Sequence, residues 1–120
     1  MTPDELREWC LEMPGATEEF PFGPETSVFK VGGRMFAVSG LRRDPFEVSV
    51  KCEPELAEML RMENPAIRPG YHLNKRHWIT IALDGPVSDE MVRELVEDSY
   101  DLIVDGLPAR QRTLLRGDAV

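Results

Sequence analysis

Between Ile67 and Thr80 the chain runs Ile-Arg-Pro-Gly-Tyr-His-Leu-Asn-Lys-Arg-His-Trp-Ile-Thr. It gathers two arginines, a lysine, two histidines, a tyrosine and a tryptophan around a Pro-Gly turn. Guanidinium and ammonium groups grip phosphate, and aromatic rings stack on bases. Arg68, Lys75 and Arg76 are therefore candidate phosphate contacts; the competing reading pairs them with carboxylates around Glu94, Glu97 and Asp101. His77 has the chemistry of a general acid or base, because an unperturbed imidazole titrates near neutrality. The simpler reading bonds it to a backbone carbonyl beside a strand. Trp78 also reads two ways, as a stacking platform or as a core residue opening an alternating apolar strand.

Standard catalytic patterns do not accompany this segment. The chain has no Gly-x-Gly-x-x-Gly, phosphate loop, His-Glu-x-x-His or Gly-x-Ser-x-Gly. His72 and His77 stand five apart across a turn, with no Cys-x-x-Cys and no third histidine, so no metal centre and no cofactor are expected. Cys10 and Cys52 read as small buried hydrophobes kept reduced. Asp4, Glu5, Glu8 and Glu12 form an acidic helix face, read as solvated or as a surface for cations or a basic partner.

The chain has 120 residues, 42% hydrophobic and 30% charged, the profile of one globular domain. No apolar run is long enough to span a membrane, and the acidic start lacks the basic, apolar pattern of a signal peptide; a cytoplasmic protein is expected. The net charge of −8 is segregated. Residues 1–29 carry one base and seven acids, residues 30–83 nine bases and six acids, and residues 84–109 one base and eight acids. The bulk charge argues against nucleic acid, whereas the basic middle segment keeps that partner open.

The elements that must position these groups follow from patterning. Thr2, Pro3 and Glu5 form a capping box with proline at the first helical position; Leu6, Trp9, Cys10 and Met13 then mark one helix face that Pro14-Gly15 ends. Glu25–Val31 and Arg34–Ser39 are strands joined by a Gly32-Gly33 hairpin turn. Phe46, Val48, Val50 and Cys52 alternate with Glu47, Ser49 and Lys51, predicting a strand with one wet face. Pro54 opens a helix, Trp78–Leu83 is a strand, and Ser88 begins a long helix with an apolar stripe to about Gly106. Pro108–Leu115 adds a last helical turn or two. The order α-β-β-β-α-β-α predicts an α+β fold: an antiparallel sheet with helices packed on one face. Residues 1–116 form the single domain and 117–120 a C-terminal tail.

Pro14-Gly15-Ala16 after a cysteine-containing helix, Glu55–Arg61, Arg68-Pro69, His72–Lys75 and His77-Trp78-x-Thr80 resemble the MmcQ/YjbR family in order and spacing. Leu83-Asp84-Gly85, Ser99-Tyr100, Leu107-Pro108, Arg112 and Leu114-Leu115 extend the resemblance over nearly the whole chain. It implies a frataxin-like, YjbR-like fold with a double-wing DNA-binding arrangement, in which Arg42, Arg43, Asn74, Lys75, Arg76 and His77 make contact. The expectation is a non-enzymatic DNA-binding protein without sequence specificity. The alternatives are a protein- or metal-binding module acting through the acidic helices and, third, an unassigned enzyme with Lys75–Trp78 in a pocket.

Overall fold

A computed structural model describes residues 1–41 and 46–117. The order is α1 (Pro3–Glu12), β1 (Thr17–Glu19), β2 (Thr26–Val31), β3 (Arg34–Gly40), β4 (Glu47–Lys51), α2 (Pro54–Glu63), β5 (Ile67–Pro69), β6 (Trp78–Ala82), α3 (Asp89–Asp105) and α4 (Ala109–Arg116). The α+β class is as the patterning predicts. The capping box is formed: Thr2 Oγ1 accepts from the Glu5 amide at 3.1 Å, and Glu5 Oε1 accepts from the Thr2 amide at 3.4 Å. Ser88 caps α3 by accepting from the Met91 amide. Gly32 and Gly33 have φ of 59° and 79°, a hairpin conformation that glycine adopts without steric cost.

The six strands form one antiparallel sheet in the order β1-β2-β3-β4-β6-β5. Chain order is broken once, where β6 returns between β4 and β5. Val48 and Val50 of β4 and Ile79 and Ile81 of β6 are fully buried, in one core with Leu6 and Cys10 of α1 and Val92, Val96 and Val104 of α3. Each such apolar side chain contributes about 1.5–3 kcal/mol on leaving water.

A β-bulge shapes the centre of this layer. The β2–β3 register passes from Phe29↔Ala37 to Lys30↔Met35, so Phe36 has no partner across the pair. The extra residue lets Phe36 follow Ala37 into the core, where its ring meets Tyr100 edge-on at 5.5 Å. On the other side of β3 the register runs Gly40↔Glu47 to Ala37↔Val50, and its next step would join Phe36 to Lys51. The Ser99 hydroxyl of α3 stands there instead. It donates to the Phe36 carbonyl at 2.6 Å and accepts from the Lys51 amide at 2.8 Å, completing the ladder with a helix side chain.

Three expectations are corrected. The sheet has two more strands than α-β-β-β-α-β-α allows, because β1 and β5 are three residues each, too short to show a period. The face carrying Glu47 and Ser49 is not wet: these residues are 5% and 7% exposed. Trp78, for which the core is one of two readings, is only partly buried. The last helical segment forms as α4, yet buries no residue fully.

Candidate functional site

The segment that stands out in sequence is a tightly pinned turn between β5 and β6. The Gly70 amide donates to the Trp78 carbonyl at 2.8 Å, and the Tyr71 amide to Thr80 Oγ1 at 2.9 Å. A Cβ on Gly70 would lie 2.6 Å from that of Trp78, so only glycine permits this approach. Asn74 Oδ1 accepts from the amides of Arg76 and His77 at 3.0 and 3.1 Å, an Asx-type turn. The Lys75 ammonium donates to the Gly70 carbonyl at 3.0 Å, and the His77 carbonyl accepts from the Cys52 amide at 2.8 Å. His72, with φ of 58°, is the one non-glycine residue of positive φ among the described residues, and its ring lies 4.0 Å from that of Tyr71.

The sequence-predicted contacts separate into distinct roles. Arg68 reaches across the open sheet face to pair with the buried carboxylate of Glu47, not with the acids of α3. Asn74 spends its side-chain oxygen on the turn. Lys75, Arg76 and His77 are exposed and consecutive. Arg76 and His77 share a shallow cleft with Lys51, Cys52, Glu53 and Glu55, so carboxylates flank these bases. Arg42 and Arg43 lie outside the described residues. Among the described residues no three His, Cys, Asp or Glu side chains converge to hold a metal.

Sequence reasoning missed the concavity these residues border. A cavity of about 370 Å³ opens on the sheet face away from the helices. Thr26, Val38, Gly40, Glu47 and Ser49 line it from the sheet, and Phe22, Tyr71, His72 and Leu73 from the flanking loops. The register explains the floor. Val38, Ser49, Thr80 and Arg68 form one row across four strands, and Thr26, Gly40, Glu47 and Ala82 the next. Gly40 contributes no side chain at the middle of its row, leaving room above the backbone. Ser49 Oγ and Thr80 Oγ1 share a hydrogen bond of 2.7 Å. The one signal available in sequence was a glycine at the end of β3 and an acid and a serine in the alternating run of β4.

The two cysteines are core groups. Burial pushes the Cys10 thiol up to about 12, with Glu18 adding to the rise, and the Cys52 thiol up to about 11, with Asp98 and Glu53 adding. Neither is a nucleophile at neutral pH. Burial also raises Asp101 of α3 above the ordinary carboxylate value, an effect that Arg116 opposes.

This architecture is shared. The YjbR family model matches residues 11–102. The chain is 41% identical over 108 residues to the uncharacterized protein YbdF of Escherichia coli O157:H7, covering 89% of this chain and 88% of that one. It is 39% identical over 115 residues to the uncharacterized protein YjbR of Escherichia coli K12, covering 96% and 98%. Among solved structures, the Deinococcus radiodurans protein DR2400, a DUF419 domain, superposes with a TM-score of 0.90 at 44% identity over 99% of this chain and 91% of that one. The chain belongs to the YjbR family. No helix among its described residues is long and apolar enough to cross a membrane.

Proposed function

We propose that the protein is a non-enzymatic DNA-binding protein that holds phosphates weakly and without sequence preference. The observation that carries this reading is the pinned turn, which presents Lys75, Arg76 and His77 side by side at the protein surface. A rigid turn loses little conformational freedom when its cations meet a phosphate. The Lys75 ammonium has three donors and uses one on Gly70. Arg68 contributes less than its charge suggests, since Glu47 offsets it. Arg42 and Arg43, which lie between β3 and β4 in the chain, are proposed as further contacts.

Two to three contacts from the turn give a log–log salt slope of roughly −2 to −3, at about −0.9 per phosphate, and Arg42 and Arg43 extend it to roughly −4. Acidic neighbours and the net charge of −8 keep affinity at physiological salt on the order of 10⁻⁴ M or weaker. The test is fluorescence anisotropy with mixed-sequence duplex and single strands at several salt concentrations. Lys75→Ala and Arg76→Ala should each make the slope shallower by about one unit at unchanged sequence preference. Absence of binding at low salt, or binding indifferent to both substitutions, refutes the reading.

A further inference from the structure

The cavity on the open sheet face has a chemistry of its own, separate from the phosphate contacts proposed above. Its floor is polar and its walls are largely apolar. Ser49 is buried yet lines the space, and its hydroxyl shares a 2.7 Å hydrogen bond with Thr80. Thr80 Oγ1 already accepts from the Tyr71 amide, which favours the arrangement in which Thr80 donates its own proton to Ser49. In that arrangement Ser49 Oγ keeps one lone pair for a further donor and its own proton for an acceptor, so a ligand hydroxyl or amino group can bond to it. The carboxylate of Glu47 stands two residues along the same strand, with its charge offset by Arg68.

The walls are suited to a ring. Tyr71 flanks the opening with His72 packed on it, and Phe22 stands over it with 68% of its surface exposed. Covering the Phe22 ring would remove apolar surface from water. Aromatic walls favour flat partners, and 370 Å³ falls at the lower end of the range for small-molecule sites. An anion would meet the Glu47 carboxylate, and a cation would have to displace Arg68 from it. A neutral donor meets neither obstacle.

We propose that this cavity is a binding site for a small, uncharged aromatic molecule carrying a hydroxyl or amino donor, with the donor on Ser49 and the ring between Phe22 and Tyr71.

Three matched probes test it: 2-naphthol, 2-methoxynaphthalene, which lacks the donor, and 2-naphthoate, which is anionic. Each is titrated into the full chain by calorimetry and by amide-resolved NMR. Saturable binding of 2-naphthol is expected, with the largest shifts at Thr26, Ser49, Tyr71 and Leu73. Loss of one hydrogen bond should weaken 2-methoxynaphthalene about tenfold, and 2-naphthoate should bind more weakly still. Ser49→Ala should abolish the preference for naphthol over its methyl ether while retaining ring affinity. Phe22→Ala alters an exposed side chain, so it should leave the fold intact and weaken both neutral probes several-fold. The proposal is overturned by equal affinities for the three probes, by shifts confined to the cleft that holds Arg76 and His77, by Phe22→Ala without effect, or by no saturation up to the solubility limit. None of these outcomes depends on whether DNA binds.

Discussion

Replacing Ser99 with alanine probes the join between the sheet and its long helix. The residue is fully buried, and its hydroxyl bridges the Phe36 carbonyl and the Lys51 amide just beyond the last β3–β4 pair, Ala37↔Val50. Alanine would leave a donor and an acceptor facing each other with too much space between them for a direct bond. An unsatisfied buried polar group costs about 1–3 kcal/mol, so two place the loss at roughly 2–6 kcal/mol. That is a large fraction of the 5–15 kcal/mol typical of a domain. For a chain of this length, unfolding entropy converts each kcal/mol into roughly 4 °C, so the midpoint should fall by roughly 8–24 °C. Urea unfolding should show a lower midpoint at unchanged slope, the mark of lost stability rather than of an altered denatured state. Amide exchange supplies a local readout: the Lys51 amide should lose protection beyond the global change, whereas the Val48 amide should follow the global change alone. A loss below about 1 kcal/mol with Lys51 still protected would refute the bridging role and mean that the strands close the gap themselves.

The two thiols predict a pH dependence. Their folded values, about 12 and about 11, lie above the ordinary 9, so the unfolded chain releases these protons first. Stability contributed by the protonated thiols is fully present below pH 9 and is lost as pH rises towards 11–12, at about 1.4 kcal/mol per pH unit for each thiol. Cys10→Ala should flatten that decline in alkaline urea titrations, and an unchanged slope would contradict it. At pH 8 the native thiols should react with a disulfide reagent only at the rate at which the protein opens; rapid labelling of Cys52 in the folded state would show the cleft beside it to be accessible. In the hairpin turn, Gly33→Ala meets open space and should cost about 1 kcal/mol for its positive φ, whereas at Gly32 the new methyl also meets Leu107 at 2.7 Å, so Gly32→Ala should cost measurably more. Equal melting temperatures for the two variants would refute the packing part of that difference.

What the sequence revealed divides along physical lines. Helix starts were legible because capping is local: Thr2, Pro3 and Glu5 carry the signal within one turn of chain. The Gly32-Gly33 turn was legible for the same reason. Burial of Glu47 and Ser49 was not, because it depends on loops that fold over the sheet from residues 20–25 and 70–77, and period-two alternation says nothing about such cover. The partner of Arg68 was missed similarly. It comes from register between strands twenty-one residues apart in sequence, not from the acid-rich helix whose composition suggested it. The part Asn74 plays in building the turn was not legible either, since its side-chain oxygen bonds amides two and three residues on.

The ends of the sheet bear on how this chain avoids its own kind. Trp-Ile-Thr-Ile-Ala in β6 and Val-Ser-Val in β4 are the sort of segments that stack into cross-β fibrils when their backbones are bare. Both are interior. The strands that close the sheet are β1, with Glu18 and Glu19, and β5, which ends in a proline that has no amide to donate. Each offers a newcomer only three residues of pairing, with charge on both margins, too little to template a growing strand. The sticky runs are thus fenced by short, poorly adhesive borders.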